Sequence, residues 1–237
     1  TRRYRAAPGD LDGLLACVHA PAPDRPRGAV LARIEGGRWL LTLAGLVGVR
    51  PPHDPAGYAA FARSLGAREI ERVVEGAEPL DDPVPFRFPA SVRRRYERLA
   101  SAVDGLVPLG DGLCSLDPVY GQGMTVAALQ ALVLRRHLDG GRPLRTRRLW
   151  ADLARAADPA WDMVRAADLA FPGAEGRGRW ADRVGGPYIR RLHAAAAHDG
   201  ELARAFMRVA GMVDPPSALL APRVARRVLV RRGRRPA

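Results

Sequence analysis

The stretch that decides the fold runs from Val107 to Leu138 and reads VPLGDGLCSLDPVYGQGMTVAALQALVLRRHL. Its pattern predicts a short apolar strand, a glycine turn, a loop broken by a proline, and a long apolar helix opened by Gly121 and Gly123. Glycines at a helix start leave the first backbone N–H groups unshielded, so a ligand can approach them closely. The helix dipole adds partial positive charge there, which suits an anionic or electron-rich ligand. The carboxylate of Asp111 can accept hydroxyl hydrogen bonds from the same ligand.

The spacing of this stretch resembles a known motif. The pattern Gly110-Asp111-x6-Pro118-x2-Gly121-x-Gly123 is similar to the second flavin-binding motif of flavoprotein hydroxylases that act on aromatic rings. The run GMTVA that starts at Gly123 is more similar still to squalene epoxidase and to bacterial FAD-dependent hydroxylases like it. The resemblance therefore implies a flavin site at this turn and helix start.

The resemblance also implies a role for each motif residue. Asp111 would bind the ribityl chain of FAD, and Pro118 would lie beside the isoalloxazine ring. The backbone of the Gly-x-Gly turn would meet the pyrimidine edge of the ring. The implied cofactor-binding residues are Gly110, Asp111, Pro118, Gly121, Gly123 and Met124. The implied reductant is NADH or NADPH, and the implied substrate is a hydrophobic or aromatic small molecule. Because the flavin performs the oxygen chemistry in this family, no catalytic side chain is assigned.

The whole chain is expected to be α+β. An antiparallel substrate-domain sheet with helices would occupy residues 1–105, the second FAD-binding motif residues 106–145, and a mainly helical C-terminal region residues 146–237. Together they would form part of a two-domain fold like that of the flavin monooxygenases. The pair Gly36-Gly37 predicts a hairpin, and Asp54-Pro55 predicts a capped helix start.

Apolar alternation and helical periodicity predict the remaining elements. The predicted strands are Leu14–Val18, Ala29–Ile34, Arg38–Ala44 and Phe86–Phe88. The predicted helices are 54–65, 67–75, 92–99, 146–169, 180–197, 201–213 and 217–229. The pair Asp158-Pro159 is expected to split or kink the helix 146–169.

The sequence lacks the Gly-x-Gly-x-x-Gly turn that normally binds the ADP half of FAD. The glycines at Gly173, Gly176 and Gly178 have the reverse order and are interpreted as a loop. The chain also begins at Thr1 rather than methionine. We therefore expect it to be the C-terminal part of a larger enzyme. Either its N-terminal ADP-binding segment is on another chain or has been lost, or this chain no longer works as a flavoenzyme.

Composition sets further expectations. The formal net charge is +13, and all 38 basic residues are arginines, which is typical of a GC-rich genome. No aromatic interleaving accompanies the arginines, so nucleic-acid binding is not expected. The two cysteines, Cys17 and Cys114, have no disulfide or metal spacing, and the five histidines are scattered, so no metal site is expected. Without a run of about 18 apolar residues a membrane span is not expected, and a cytoplasmic location is the default.

Several single residues permit two interpretations. Cys114 is a reactive thiol or a small buried side chain, and Tyr120 gates the ring edge or simply packs. The run Arg93–Arg95 clamps an acidic group or forms a solvated helix face. Trp39 and Leu41 line a substrate cavity or belong to the core of the sheet.

Three functions fit these observations. The first is an FAD-dependent monooxygenase, either a hydroxylase or an epoxidase, or a part of one. The second is a flavin-dependent reductase of isoprenoid chains, which would hydrogenate its substrate without oxygen. The third is a basic, non-catalytic binding module, which would bind nucleic acid with a steep salt dependence and carry no flavin.

Overall fold

The computed structural model describes residues 1–5, 10–139, 141 and 143–230. The chain forms a small antiparallel sheet and several helices, so the expected α+β class is confirmed. It divides into two compact units, one of Thr1–Arg87 with Ala170–Glu175 and the other of Phe88–Leu169 with Gly176–Ala237. Residues 231–237 of the predicted C-terminal helical region lie outside the described residues.

The first unit contains a four-stranded antiparallel sheet. Its strands are β1 (Arg2–Arg5), β2 (Ala16–His19), β3 (Arg27–Ile34) and β4 (Arg38–Gly45), in the order β1-β4-β3-β2. Strands β3 and β4 form the predicted hairpin, with Ile34 opposite Arg38. Gly36 and Gly37 in the connection have φ values of 72° and 61°, a region that glycine enters without steric cost.

Two helices, α1 (Pro55–Arg63) and α2 (Arg68–Gly76), complete this unit. The predicted cap of α1 is confirmed, because Asp54 Oδ1 accepts the backbone N–H of Gly57 at 2.7 Å. Trp39 and Leu41 are fully buried in the same cluster as Tyr58 of α1, whose hydroxyl donates to the Leu41 carbonyl at 2.7 Å. Trp39 and Leu41 are therefore core residues of the sheet.

The predicted strand Phe86–Phe88 is wrong. This segment has no strand assignment, and Phe86 is 82% exposed. Pro85 and Pro89 flank it, and neither can donate a backbone hydrogen bond to a neighbouring strand.

The second unit is mainly helical. Its helices are α3 (Gly123–Leu138), α4 (Thr146–Asp168), α5 (Trp180–Ala196), α6 (Gly200–Ala210) and α7 (Pro222–Val230), with the short strands β5 (Val92–Arg93) and β6 (Cys114–Ser115). One core cluster joins α3 to α4 and includes Val126, Val133, Leu149, Leu153 and Ala157. A second cluster joins α5, α6 and α7 and includes Leu192, Leu202, Val209, Val224 and Val228.

Four local predictions in this unit need correction. The predicted helix 92–99 is instead strand β5 followed by a 3-10 turn at Tyr96–Arg98, because the chain pairs with β6. The predicted strand before Gly110 does not form, and the strand of this stretch is β6. Helix α4 continues through Pro159, so the alternative of a split at Asp158-Pro159 is wrong, while the alternative of a kink there stays a prediction. The predicted helix 217–229 is a 3-10 turn followed by α7, which begins at Pro222, where the fixed φ of proline suits a helix start and its missing N–H is one that the first turn leaves unpaired.

Candidate functional site

The motif begins with a glycine turn fastened to helix α3. Gly110 has φ 53° and opens a 3-10 turn that ends at Gly112. Its backbone N–H donates to Oε1 of Gln130 at 2.7 Å, and Nε2 of Gln130 donates to the Leu153 carbonyl of α4 at 3.3 Å. Gln130 is fully buried, so its bond to Leu153 is shielded from water, and its bond with Gly110 is partly buried. One glutamine therefore holds the turn on α3 and joins α3 to α4.

Asp111 lies at the exposed tip of this turn. Its backbone carbonyl accepts a hydrogen bond from the Arg94 guanidinium at 3.0 Å, which fixes the backbone of the turn. Strand β6 follows and pairs with β5, with Arg93 opposite Cys114. The Asp111 carboxylate is thus presented to solvent on a backbone that is held from both sides.

A second turn, 117–121, leads into α3. The Asp117 carboxylate accepts the Val119 N–H at 2.9 Å, and the Gly121 N–H donates to the Pro118 carbonyl at 3.0 Å. Gly121 has φ 69°, a left-handed conformation that a residue with a Cβ adopts only at a cost. The backbone conformation therefore favours glycine at this position, independently of any ligand.

Helix α3 starts with unpaired helical amides. Its first hydrogen bond is from the Val126 N–H to the Gln122 carbonyl at 3.0 Å, so the three preceding amides have no partner within the helix. The Gln122 side chain is 5% exposed and donates to the Ala210 carbonyl of α6 at 2.9 Å. The start of α3 is thus anchored from beneath by Gln122.

The outer side of this helix start is open. The Met124 side chain is 86% exposed, and Gly121 and Pro118 are exposed as well. A Cβ atom built on Gly121 or on Gly123 meets no atom within 4 Å. Each of these two positions therefore has room for at least one further carbon atom in front of the backbone.

The structure places all six predicted cofactor residues on these two turns and the first turn of α3. A Cβ atom on Gly110 would lie 3.5 Å from Cβ of Ala127, so the first turn of the motif packs against α3 about one helical turn beyond Gly123. The supporting glutamines were not predicted. Gln130 is the single polar side chain in the run VAALQALVL, which is a usable signal for a buried polar anchor. The binding of a flavin by these residues stays a prediction.

A polar cluster lies behind the second turn. The Tyr120 hydroxyl donates to Asp168 Oδ1 at 2.8 Å, and the Ser91 hydroxyl donates to Asp168 Oδ2 at 3.4 Å. Ser91 Oγ also accepts the Asp117 backbone N–H at 3.1 Å. The sequence permits either gating or packing for Tyr120, and in the structure its hydroxyl has a half-buried carboxylate partner on α4.

Burial controls the protonation of this cluster. It raises the pKa of the Asp117 carboxyl and that of the Asp168 carboxyl, and the charge of Asp117 raises the pKa of Asp168 further. The hydrogen bonds from Tyr120 and Ser91 to Asp168 oppose the increase. Burial and the Asp168 charge also raise the pKa of the Tyr120 hydroxyl, so that this group stays protonated and acts as a donor.

The neighbouring thiol and arginines have structural roles. Cys114 is 1% exposed, and burial raises its pKa to about 11, so the structure agrees with the small buried side chain. The Arg93 side chain is 3% exposed and lies 2.6 Å from Asp158 Oδ1, so it is neither a solvated residue nor a clamp open to a ligand. Arg95 contacts Glu97 at 3.4 Å.

Neither a metal site nor a membrane-spanning helix is found in the part of the chain that the structure describes. No group of three or more His, Cys, Asp or Glu side chains in that part of the chain is placed to hold a metal ion. No helix there has the length and apolar character required to cross a bilayer.

The chain is similar to a mycobacterial protein. The chain is 34% identical over 212 residues to Protein Rv3254 of Mycobacterium tuberculosis. The similar region covers 86% of this chain but 44% of that relative, so the chain spans less than half the length of the curated protein it matches. No protein-family model matches the chain.

Proposed function

We propose that this chain carries the segment of an FAD-dependent monooxygenase that binds the isoalloxazine ring and the ribityl chain. The observation that supports the proposal is the open start of α3, where Gly121 and Gly123 have free space in front of them. The substrate class is a hydrophobic or aromatic small molecule, as the resemblance of the motif implies.

The helix start suits the electrostatics of a flavin. Negative charge develops at the pyrimidine edge of the ring when the flavin is reduced. The amides of Gly123, Met124 and Thr125 have no helical partners and are oriented before any ligand arrives. Preorganised amides stabilise developing charge without the cost of reorientation, and the helix dipole adds about 0.3–1 kcal/mol at such a position.

Residues beside the helix start suit the ribityl chain and the isoalloxazine ring of FAD. Asp111 is an exposed carboxylate on a fixed turn, so it can accept hydroxyl hydrogen bonds from a ribityl chain. Pro118 is exposed on the second turn and offers an apolar surface to a ring. FAD, once reduced, supplies the oxygen chemistry, and the role of these residues is to bind and orient it. The ADP half of FAD would be bound by residues outside this site.

A titration with FAD and with ADP tests the proposal. We expect FAD to shift the backbone amide NMR resonances of Gly110, Asp111, Gly121, Gly123 and Met124, and ADP to leave them unchanged. The affinity should be weak, because the site contacts only half of the cofactor. Identical shifts with FAD and ADP, or shifts confined to the exposed arginines, would show that the attraction is to phosphate and would contradict the proposal.

A further inference from the structure

The carboxylate of Asp168 is connected to the second motif turn at two points. Oδ1 accepts the Tyr120 hydroxyl at 2.8 Å, directly inside the turn. Oδ2 accepts the Ser91 hydroxyl at 3.4 Å, and Ser91 Oγ in turn accepts the Asp117 backbone N–H at 3.1 Å, where the turn begins. The Asp168 side chain of helix α4 is therefore connected to Tyr120 directly and, through Ser91, to Asp117 at the start of the turn.

This arrangement places a partly buried carboxyl group beside the second motif turn, where no arginine among the described residues compensates for its charge. Asp168 is half-buried, and the groups that act on it are Tyr120, Ser91 and a second carboxyl group, Asp117. None of these three is a cation, although the chain contains 38 arginines. Such surroundings disfavour the ionised form of the carboxyl group. Partly buried ionisable groups with perturbed pKa values cluster at functional sites.

We propose that Asp168 is a positioning residue for the flavin site. Through the hydroxyls of Tyr120 and Ser91 it holds turn 117–121 in the conformation that presents Pro118 and Gly121 to the ring. The inference rests on the proposed function, since it concerns the presentation of the same turn.

Three variants and a control separate positioning from a general effect on stability. Asp168→Ala removes both connections, Tyr120→Phe removes only the direct one, and Asp168→Asn keeps an acceptor for Tyr120 and a donor for Ser91. Asp162→Asn is the control, because Asp162 lies on the same helix and pairs with the Arg179 guanidinium at 2.7 Å. Each variant is compared as the full chain at a temperature where it is folded.

The first measurement is the conformation of the turn without flavin, read from the NMR resonances and backbone order of Val119, Tyr120 and Gly121. We expect large changes in Asp168→Ala, smaller ones in Tyr120→Phe, and little change in Asp168→Asn and in the control. The second measurement is FAD affinity. It should fall about tenfold or more in Asp168→Ala, which is the effect of about 1.4 kcal/mol, and recover most of the way in Asp168→Asn.

The two possible failures are distinguishable. A turn that is unchanged in Asp168→Ala would overturn the positioning role, whether or not FAD binds. An altered turn with unaltered FAD affinity would overturn it as well. Absence of any FAD-specific shift in the unmodified chain would instead overturn the proposed function, and the resonances of the free turn would still report whether Asp168 holds it.

Discussion

The backbone N–H of Gly110 donates to Oε1 of the buried Gln130 side chain over 2.7 Å. The bond joins the first glycine of the motif to the middle of helix α3, and the Gln130 amide continues to the Leu153 carbonyl on α4. Turn, helix and neighbouring helix are thus held together by one side chain that is fully removed from solvent.

Replacing Gln130 tests this connection. Gln130→Met keeps the approximate size of the side chain but leaves the Gly110 N–H without its buried acceptor. We expect the free energy of unfolding in urea to fall by about 1–3 kcal/mol, the usual cost of an unsatisfied buried group. Leu138→Ala at the exposed end of the same helix is the control, and it should change stability by less than about 0.5 kcal/mol. Equal stabilities of Gln130→Met and the original chain would contradict the anchoring role.

The space in front of Gly123 provides a direct test of flavin contact. A Cβ atom on Gly123 meets no protein atom within 4 Å, so Gly123→Val should fold normally and yet fill the volume that the ring would occupy. We expect its FAD-specific NMR shifts to disappear while its melting temperature stays close to that of the original chain. In a complete enzyme the same change should abolish flavin binding.

Gly200→Val is the matched control for Gly123→Val. Gly200 is also the first residue of a helix, and a Cβ atom there also meets nothing within 4 Å. The control should bind FAD as the original chain does. Unchanged FAD affinity in Gly123→Val would count against the site.

The carboxylate of Asp111 can be tested without loss of the turn. Asp111→Ala removes an exposed side chain, while the Arg94 guanidinium still binds the backbone carbonyl of this residue. Hydrogen bonds to a charged group contribute about 1.5–3 kcal/mol, so we expect roughly a tenfold or greater loss of FAD affinity by isothermal titration, with stability preserved. Asp139→Ala, at the exposed end of α3, should leave the affinity unchanged. A loss shared by both variants would indicate only a change in net charge.

The raised pKa values of Asp117 and Asp168 predict a pH dependence of stability. A carboxyl group whose pKa is higher in the folded than in the unfolded protein favours folding while it is protonated. That contribution is present below the ordinary aspartate pKa of about 3.9 and is lost as the pH rises through the folded value. Asp168→Asn cannot ionise, so we expect it to be more stable than the original chain at neutral pH.

Urea unfolding at several pH values measures this difference. The advantage of Asp168→Asn should shrink as the pH falls towards 4, where the aspartate itself becomes protonated. A constant difference at every pH would mean that ionisation of Asp168 is not its cause. The pKa of Asp214 is shifted in the opposite direction, because the hydrogen bond that its carboxylate accepts from Arg208 lowers it.

The two cysteines should differ in reactivity. Cys114 is 1% exposed with a pKa of about 11, so at pH 8 only about a thousandth of it is thiolate. Cys17 is half-buried, and burial raises its pKa as well. With a thiol reagent we expect Cys17 to be modified first and Cys114 only when the protein unfolds, as measured by mass spectrometry of the labelled peptides. Rapid labelling of Cys114 in folded protein would contradict this assignment.

The sequence by itself determined the features that depend on neighbouring residues. The hairpin at Gly36-Gly37, the cap formed by Asp54, the long helix that ends at Leu138 and the α+β class follow from local turn chemistry and from apolar periodicity, which are written in consecutive residues. The helix was predicted from Gly121, and the structure begins it at Gly123. The resemblance of the motif located the six candidate flavin residues, and the structure gathers them on two turns and one helix start.

The tertiary structure alone decided the features that depend on partners far apart in the chain. Arg93–Arg95 has the pattern of a basic helix, but Arg93 pairs with strand β6, and its buried guanidinium forms an ion pair with Asp158. Ser91 and Asp168 are separated by 77 residues and meet behind the turn that contains Tyr120. No local pattern reports such a meeting, because the free energy that fixes it comes from burial and hydrogen bonding between segments that approach only when the chain has folded.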